Sequence, residues 1–475
     1  MIKTHNRTKI IATVGPACNS YNQLIELVKA GVDLFRFNFS HGTHEEHKEA
    51  LDCVHKINRA YRLNIGILAD LQGPKIRIGD VEDGSVELID DAAVKITTKK
   101  CVSTADEIYV SYEALAEDVS IGDKILIDDG KICLEVIFTD KKELINAKVI
   151  NGGMLYPRKG VNLPNTNIST PSVTDKDWKD LAFALKNKAN WIALSFVRKP
   201  DDIKQVKKKV GRNKAVKIIA KIEKPEAVEH LDAIIAVSDG LMVARGDLGV
   251  EIPIEQMPFI QKEIVRKSIV AGKPVIIATQ IMETMMENPY PTRAEANDVA
   301  NGLVDGADAL MLSGETSVGK YPVEVVQIIS KIMAQVETQE EIYNKNLTPS
   351  RSSRSFLSDA ICYNACKIAS EVKAKAIIGM THSGGTAFML ASYRPKAKIY
   401  IFTDNEDLLN TLSLFWGVQA FFYDQFASTD DSINDVIDIL KHRRLIDKGD
   451  VVINTGSMPI NSRSRTNMLK ITVVE

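Results

Sequence analysis

The sequence predicts an α/β protein: a (β/α)8 barrel with an inserted β-rich lid domain and a C-terminal α/β domain. Three observations predict this fold. Eight short apolar segments alternate with helical segments over most of the first 345 residues. The alternation is interrupted by about ninety residues of short alternating runs. Further strand-like segments follow a polar stretch at 344–355. A doubly wound open sheet would show the same periodicity, so it stays open at this point.

The predicted barrel strands are short, mostly apolar runs, as is typical of a parallel sheet buried on both faces, with polar residues at or just after their C-terminal ends. They span 9–14, 33–39, 64–71, 191–197, 216–222, 241–244, 274–279 and 309–312. Helices are predicted at about 19–30, 174–188, 225–236, 255–271, 292–304 and 322–342.

The insertion and the C-terminal part are also read from short runs. Lid strands are predicted at 86–89, 94–97, 124–127, 132–138 and 143–149, separated by Gly or Asp turns. C-terminal strands are predicted at 376–380, 399–402, 418–422, 451–454 and 469–474. The predicted domains are therefore 1–72 and 169–345 for the barrel, 73–168 for the lid and 346–475 for the C-terminal domain.

Composition limits the class of protein. The chain has 475 residues, 45% of them hydrophobic, and a formal net charge of −2, which does not favour a dedicated nucleic-acid binder. Its six cysteines form no CxxC pair, and no apolar run reaches the length of a membrane span. With no signal peptide recognised, we expect a cytoplasmic protein without nucleic-acid or membrane partners.

Candidate catalytic residues follow the fifth and sixth predicted strands. Period-2 alternation places Lys221 and Glu223 on one face at a strand end, and Asp247 follows the next strand. Ligands bind at this edge of barrels and open sheets alike. Two carboxylates suit a hard divalent cation, and the lysine can stabilise a developing anion. An ordinary salt-bridge network would use the same residue types.

The second and third strands end in further polar residues. Arg36, Asn38 and Ser40 share one face, and Asp70 ends the third strand. An arginine that points inward among Phe and Leu is costly unless it meets an anion. Its guanidinium suits a carboxylate or a phosphate.

Two weaker patterns involve histidines and a glycine-rich turn. His41, His44 and His47 do not favour a zinc site, because the last two fall on an exposed helix among glutamates. Ser383, Gly384, Gly385 and Thr386 form a turn before a predicted helix, where backbone N–H groups and the helix dipole favour phosphate. A plain helix-capping loop explains this turn equally well.

Longer patterns point to a known family. The chain resembles the pyruvate kinase family at TKIIATVGPA, FRFNFSHG, LQGPKIRIG, KGVNLP, KIEKPEA, ARGDLGVEIP, ATQIMETM, PTRAEANDVAN and LMLSGETSVGKYP. The resemblance implies transfer of the phosphoryl group of phosphoenolpyruvate to ADP, then protonation of the enolate to pyruvate. It also implies a TIM barrel, a β-barrel lid on its mouth, a C-terminal effector domain and a homotetramer.

The resemblance also assigns roles to residues. Glu223 and Asp247 would hold Mg²⁺ or Mn²⁺, with a second ion arriving with the nucleotide. The catalytic residues would be Lys221, Thr279 and Arg36, with Thr279 on the proton path through water. The substrate-binding set would be Arg36, Lys221, Gly246, Asp247 and Thr279. The nucleotide-binding set would be Asn38, Ser40, His41, Arg77 and Lys159. A phosphorylated allosteric effector would bind Ser383, Gly384, Gly385 and Thr386, with Arg463 and Arg465 closing over it.

One departure from many family members concerns potassium. Those members hold K⁺ at positions matching Asn38, Ser40, Asp70 and the carbonyl of Leu71. They carry glutamate where this chain has Lys75, and threonine and lysine where it has Leu71 and Gln72. The chain resembles the other branch, in which the lysine ammonium supplies the cation, so we expect no requirement for K⁺.

Two other functions are weighed against this one. A metal-dependent keto-acid aldolase would share the metal carboxylates and the rim arginine, but it would not need a lid carrying Arg77 and Lys159. A requirement for ADP in pyruvate formation separates the two enzymes. A catalytically inactive sensor would keep only effector binding, and the intact Lys221, Glu223 and Asp247 oppose it.

Overall fold

A computed structural model describes residues 6–164, 166–211, 216–343, 347–351, 355–425, 428–459 and 464–475. The chain begins with barrel strands β1 (Lys9–Thr13), β2 (Leu34–Asn38) and β3 (Gly66–Asp70). Lid strands follow: β4 (Val86–Leu88), β5 (Ala93–Thr97), β6 (Glu107–Tyr109), β7 (Lys124–Ile127), β8 (Ile132–Thr139), β9 (Leu144–Asn151), β10 (Gly153–Leu155) and β11 (Val161–Asn162). The barrel resumes with β12 (Trp191–Leu194), β13 (Lys217–Ile222), β14 (Gly240–Ala244), β15 (Val275–Ala278) and β16 (Ala309–Leu312). The C-terminal strands are β17 (Ala376–Met380), β18 (Lys398–Thr403), β19 (Val418–Phe422), β20 (Val451–Gly456) and β21 (Met468–Val473).

The helices connect these strands in the expected rhythm. Those of the barrel and lid are α1 (Tyr21–Ala30), α2 (His44–Tyr61), α3 (Leu115–Asp118), α4 (Asp175–Lys186), α5 (Pro200–Val210), α6 (Pro225–Glu229), α7 (Leu231–Val237), α8 (Arg245–Glu251), α9 (Met257–Val270), α10 (Arg293–Asp305), α11 (Gly314–Ser317) and α12 (Pro322–Val336). Those of the C-terminal domain are α13 (Phe356–Glu371), α14 (Gly385–Ser392), α15 (Glu406–Thr411) and α16 (Thr429–His442).

The barrel is closed. Its eight parallel strands run in the order β1-β16-β15-β14-β13-β12-β3-β2, which confirms the predicted barrel and excludes the open sheet. The buried faces of these strands build its core, with Ile11, Leu34, Trp191, Ile219 and Met242 among the fully buried residues. Because every strand is parallel, all eight carboxyl ends meet at one rim.

Capping boxes fix where several barrel helices begin. The side chain of Thr174 accepts a hydrogen bond from the backbone N–H of Asp177, and that of Thr292 accepts one from Glu295. In both pairs the acidic side chain also accepts a hydrogen bond from the backbone N–H of the capping threonine. This reciprocal bonding satisfies donors that a helix start leaves open.

Two helix predictions need correction, and some helices were not predicted. The helix predicted at 322–342 ends at Val336, and the carboxylate of the next residue, Glu337, accepts hydrogen bonds from the backbone N–H groups of Arg7 and Thr8. The helix predicted at 225–236 is divided at His230 into α6 and α7. Helices α5 and α8 were not predicted, and α8 carries two glycines, which lower helix propensity.

The lid and the C-terminal domain each contain their own sheet. The lid strands form a six-stranded sheet in the order β11-β7-β8-β9-β5-β6 and a two-stranded sheet of β10 and β4. The C-terminal sheet has the order β19-β18-β17-β20-β21, with β21 antiparallel at one edge. The exact domain boundaries stay a prediction. Among the described helices, none has the length and apolar character needed to span a bilayer.

Candidate active site

The ammonium of Lys221 lies at the centre of a buried polar cluster at the barrel rim. Its Nζ is 2.7 Å from Oε1 of Glu223 and 3.3 Å from Oδ1 of Asp70, and it donates to Oγ of Ser195 at 2.8 Å. Strands β3, β12 and β13 are neighbours, so their ends bring these four residues together. The cluster joins one cation to two carboxylates with little exposure to water.

The charges of this cluster determine its protonation. Burial alone would lower the pKa of Lys221, but the negative charges of Asp70 and Glu223 outweigh burial and raise that pKa. Burial would raise the pKa of Asp70, but the charges of Lys221 and Arg36 lower it. Lys221 is therefore a permanent cation and Asp70 a permanent anion near neutral pH.

Arg36 reaches the same cluster from β2. Its Nε donates to Oδ2 of Asp70 at 2.8 Å and its Nη1 donates to Oγ1 of Thr13 at 3.0 Å. In the described part of the chain its Nη2 makes no hydrogen bond. The anion that meets this inward arginine is thus Asp70, and one guanidinium nitrogen stays available for a ligand.

Glu223 and Asp247 have the character of a cation site. Glu223 is 1% exposed, and its Oε2 accepts the backbone N–H of Phe196 at 2.7 Å. Burial raises the pKa of Glu223, and the charge of Asp247 adds to the rise against the opposing charge of Lys221. A bound cation would relieve this repulsion, so the donor set fits a divalent metal. No group of three or more His, Cys, Asp or Glu able to hold a metal occurs among the described residues.

Thr279 and Gly246 form a second wall of the site. The N–H of Gly246 donates to Oγ1 of Thr279 at 2.7 Å. Thr279 and Gln280 both adopt positive φ, at 66° and 54°. Arg245 donates to both of their carbonyls at 2.8 Å and pairs with Asp298 at 2.7 Å. Arg245 therefore holds the backbone of Thr279 in a conformation that a β-branched residue rarely adopts.

The residues predicted to bind nucleotide lie around the lid base. The side-chain Oδ1 of Asn38 accepts the N–H of Ser40 at 3.1 Å. Burial lowers the pKa of His41, and the charges of Arg77, Lys75 and Arg36 lower it further. Arg77 and Lys159 are otherwise engaged within the lid: Arg77 donates to the carbonyl of Arg158 at 3.0 Å, and Lys159 pairs with Asp128 at 2.9 Å.

Lys75 lies beside Asp247, one of the two carboxylates predicted to bind a divalent metal. Its Nζ is 3.7 Å from Oδ1 of Asp247, and its side chain is 32% exposed. The ion pairs of Asp70 are with Arg36 and Lys221 instead. The replacement of K⁺ by Lys75 thus stays a prediction, and in this lid position the ammonium faces Asp247.

The other two histidines of the His41, His44 and His47 pattern contact neighbouring side chains and backbone. His44 stacks on Phe183 with ring centroids 4.2 Å apart, and its Nε2 is 2.7 Å from Oδ1 of Asp180. His47 bonds through Nε2 to the carbonyl of His41 at 2.9 Å.

A separate cavity of about 510 Å³ lies in the C-terminal domain, at the predicted phosphate turn. Gly384 has a φ of 86° and precedes α14, and Ser383, Gly385 and Thr386 line the cavity. His382 also lines it, with Nδ1 2.6 Å from Oδ1 of Asp404. Arg465 lines the opposite side, whereas Arg463 lies outside the described residues.

Three residues of the site were assigned no role from the sequence: Ser195, Arg245 and Asp298. Oγ of Ser195 accepts a hydrogen bond from Lys221 and donates one to the carbonyl of Leu71 at 2.7 Å. Arg245 lies within the motif ARGDLGVEIP, but its partner Asp298 is 53 residues further along the chain. The sequence did place Ser195 and Arg245 at the ends of predicted strands and Asp298 in the PTRAEANDVAN pattern, and these positions could have indicated that they belong to the site.

Comparisons with known proteins agree over most of the chain. The family model "Pyruvate kinase, barrel domain" matches residues 5–326, and "Pyruvate kinase, alpha/beta domain" matches 359–472. A pyruvate kinase of Geobacillus stearothermophilus is 40% identical over 474 residues, covering 98% of this chain and 80% of that protein. One from Clostridium acetobutylicum is 41% identical over 473 residues, covering 99% and 100%. A crystal structure of a Cryptosporidium parvum pyruvate kinase is similar with a TM-score of 0.92 and 36% identity, covering 99% of this chain and 96% of that one.

Proposed function

The chain belongs to the pyruvate kinase family, and we propose that the cluster around Lys221 is where it carries out the family's reaction. That reaction transfers the phosphoryl group of phosphoenolpyruvate to ADP and yields pyruvate and ATP in the last step of glycolysis. The carrying observation is the Lys221 ammonium, buried 2.7 Å from Glu223.

Glu223 and Asp247 would hold the divalent metal, Mg²⁺ or Mn²⁺. An ion held there would supply Lewis-acid chemistry, and a second ion would accompany the nucleotide. Glu223 is oriented for this by the N–H of Phe196, which fixes Oε2. The repulsion between the two carboxylates supports this assignment.

Lys221 and Arg36 would bind the transferring phosphoryl group. Negative charge develops on the phosphoryl and enolate oxygens during transfer, and a fixed buried cation stabilises that charge more in the transition state than before it. Asp70 orients both cations, because one of its oxygens contacts each. The available Nη2 of Arg36 would complete the contact with the phosphoryl oxygens.

Gly246, Asp247 and Thr279 would bind the substrate carboxylate. The Thr279 hydroxyl bonds to the Gly246 N–H and to the Ala278 carbonyl, so it is fixed on both sides. From there it would relay a proton to the enolate through water.

The nucleotide would contact Asn38, Ser40, His41, Arg77 and Lys159. His41 is neutral near pH 7, because its pKa is lowered, and so can share a hydrogen bond without adding charge. Arg77 and Lys159 would reach the phosphates after the lid moves, because both now bond within the lid. We propose that K⁺ is not required.

The C-terminal cavity would take a phosphorylated effector, and the assembly would be a homotetramer. Exposed apolar side chains support self-association: Ile254, Phe259 and Tyr290 on the barrel are 73–78% exposed, and Val473 on edge strand β21 is 60% exposed. Sedimentation velocity tests the assembly. We propose a cytoplasmic location, because all six cysteines are free thiols.

The test of the function is a pair of measurements. Pyruvate formation from phosphoenolpyruvate should require ADP, whereas the rival aldolase reaction would not use it. Mn²⁺ binding, measured from the electron paramagnetic resonance of free Mn²⁺, should weaken more than about tenfold in Glu223→Gln. The matched control is the exposed Glu229→Gln, which should bind like wild type. Pyruvate release without ADP, or unchanged Mn²⁺ binding in Glu223→Gln, would contradict the proposal.

A further inference from the structure

A second buried ion pair joins a residue next to Glu223 to a residue on the same helix as Asp247. Nζ of Lys224 is 2.6 Å from Oε1 of Glu251, and the two side chains are 5% and 1% exposed. Lys224 follows the metal carboxylate Glu223 in sequence. Glu251 lies four residues after Asp247 on α8, so both carboxylates project from one side of that helix. The ion pair therefore links the two segments that carry Glu223 and Asp247.

The lid reaches this ion pair through Asn162. Its Nδ2 donates to Oε1 of Glu251 at 2.8 Å. Asn162 is the last residue of β11, in one of the two segments that connect the lid to the barrel. The neighbouring Val161 donates its N–H to the carbonyl of Ile76, in the other connecting segment, at 3.0 Å. The other connecting segment also carries Lys75, which lies 3.7 Å from Asp247. Both connections of the lid thus contact α8, one at each end.

The bonding of Glu251 is incomplete in this arrangement. Both Lys224 and Asn162 contact the same oxygen, Oε1. The other oxygen, Oε2, is buried and has no hydrogen-bond partner among the described residues. A buried unpaired carboxylate oxygen costs free energy, so a small movement of the lid that brings a donor to it would be favoured.

We propose that Glu251 is a positioning residue that couples the lid to the metal site. With Lys224 it sets the separation of Glu223 and Asp247, and through Asn162 it makes that separation depend on where the lid lies. The inference rests on the proposed metal ligands. It follows that loosening the lid at Asn162 weakens metal binding at carboxylates that Asn162 does not touch.

The test compares Asn162→Ala with the matched lid variant Asn151→Ala in the full-length enzyme. Asn151 is exposed on β9, far along the lid sheet from β11. Three quantities are measured: Mn²⁺ affinity without substrates, tryptic cleavage of the lid, and KM for ADP against kcat. In Asn162→Ala we expect Mn²⁺ affinity to fall about fivefold. Lid cleavage should rise and KM for ADP should rise more than kcat falls. Asn162→Asp, which places a second carboxylate charge beside that of Glu251, should show larger changes in the same directions.

The outcomes separate this inference from the proposed function. If Asn162→Ala matches Asn151→Ala in Mn²⁺ affinity, the coupling is wrong, even if lid cleavage rises. If Mn²⁺ affinity falls while lid cleavage stays unchanged, the bond is only local support and the coupling is also wrong. The Glu223→Gln measurement decides independently whether the metal site itself is assigned correctly.

Discussion

At the scale of single residues, the proposed phosphoryl transfer depends on charged side chains that are buried away from water. Asp70 is 1% exposed and contacts both Arg36 and Lys221, so it keeps two cations from separating. Replacing one partner of such a group leaves an unpaired buried charge, which costs more than the pair contributes. Tests at these positions therefore need variants that keep side-chain volume and a control on the same element.

Lys221→Met tests the central cation. The change nearly keeps the length of the side chain but removes the charge that we propose stabilises the developing enolate and phosphoryl anions. We expect kcat to fall by about 10²–10³-fold or more, with a much smaller change in Mn²⁺ affinity. The control is Lys217→Met, at the other end of β13. A Lys221→Met enzyme that keeps more than about a tenth of wild-type kcat would remove Lys221 from the catalytic role.

Lys75 tests the source of the monovalent charge. If its ammonium replaces K⁺, wild-type activity in sodium buffer should rise by at most about twofold when potassium is added. Lys75→Met should lower activity, and K⁺ should restore part of it. Restoration would be incomplete, since Leu71 and Gln72 differ from the K⁺-binding members. Lys131→Met, at an exposed lid lysine, is the control and should show no response to K⁺.

A tenfold or larger potassium activation of the wild type would contradict the internal-cation hypothesis. The 3.7 Å approach to Asp247 offers a second readout. Because a nearby ammonium opposes cation binding, Lys75→Met should bind Mn²⁺ at least as tightly as wild type if that approach persists in solution.

At the scale of elements, Arg245 stabilises the backbone conformation of the loop that follows β15. Its guanidinium contacts two consecutive carbonyls and a carboxylate, an arrangement that a single ammonium cannot reproduce. Backbone strain of this kind costs about 1–3 kcal/mol per residue, so the loop depends on such external support. Thr279 is the residue that gains its position from this support.

Arg245→Lys should therefore impair the site without removing any proposed substrate contact. We expect kcat to fall about tenfold and KM for phosphoenolpyruvate to rise, because the Thr279 hydroxyl loses its fixed position. The control is Arg293→Lys, at an exposed residue on the first turn of α10. Circular dichroism melting accompanies the kinetics. Wild-type kinetics in Arg245→Lys would show that the loop holds its shape alone.

The elements also show what sequence reasoning could and could not reach. Barrel strands were predictable because each is a short, mostly apolar run, and β16 was predicted at its observed bounds. Lys221 and Glu223 could be placed on one face by alternation alone. The role of Asp298 could not, because its contact with Arg245 depends on how α10 packs beside the rim. Helix α8 was missed because its first turn holds Gly246, which lowers helix propensity, and Asp247, the carboxylate that we propose binds metal.

At the scale of the whole molecule, the C-terminal domain is fastened to the base of the barrel. Arg394 is 1% exposed and pairs with Asp308 at 2.9 Å, and the indole of Trp191 on β12 donates to the carbonyl of Thr411 at 3.1 Å. Buried polar contacts of this kind hold the two domains in a defined arrangement. A ligand that shifts the C-terminal domain can therefore bias the barrel strands, provided that it binds the two arrangements with different affinity.

The effector cavity gives the last expectation. If the Ser383–Thr386 turn binds a phosphate, a sugar phosphate or nucleoside monophosphate should lower KM for phosphoenolpyruvate by about fivefold or more. Arg465→Ala should lose this activation and keep basal kcat, because Arg465 lines the cavity and lies outside the barrel site. The control is Arg443→Ala, an exposed arginine of the same domain that lines a different cavity. Steady-state assays with a panel of phosphorylated metabolites, with and without each substitution, provide the measurement. If no phosphorylated compound changes KM in the wild type, the turn is a helix cap only. If Arg465→Ala is activated as fully as Arg443→Ala, the effector binds elsewhere.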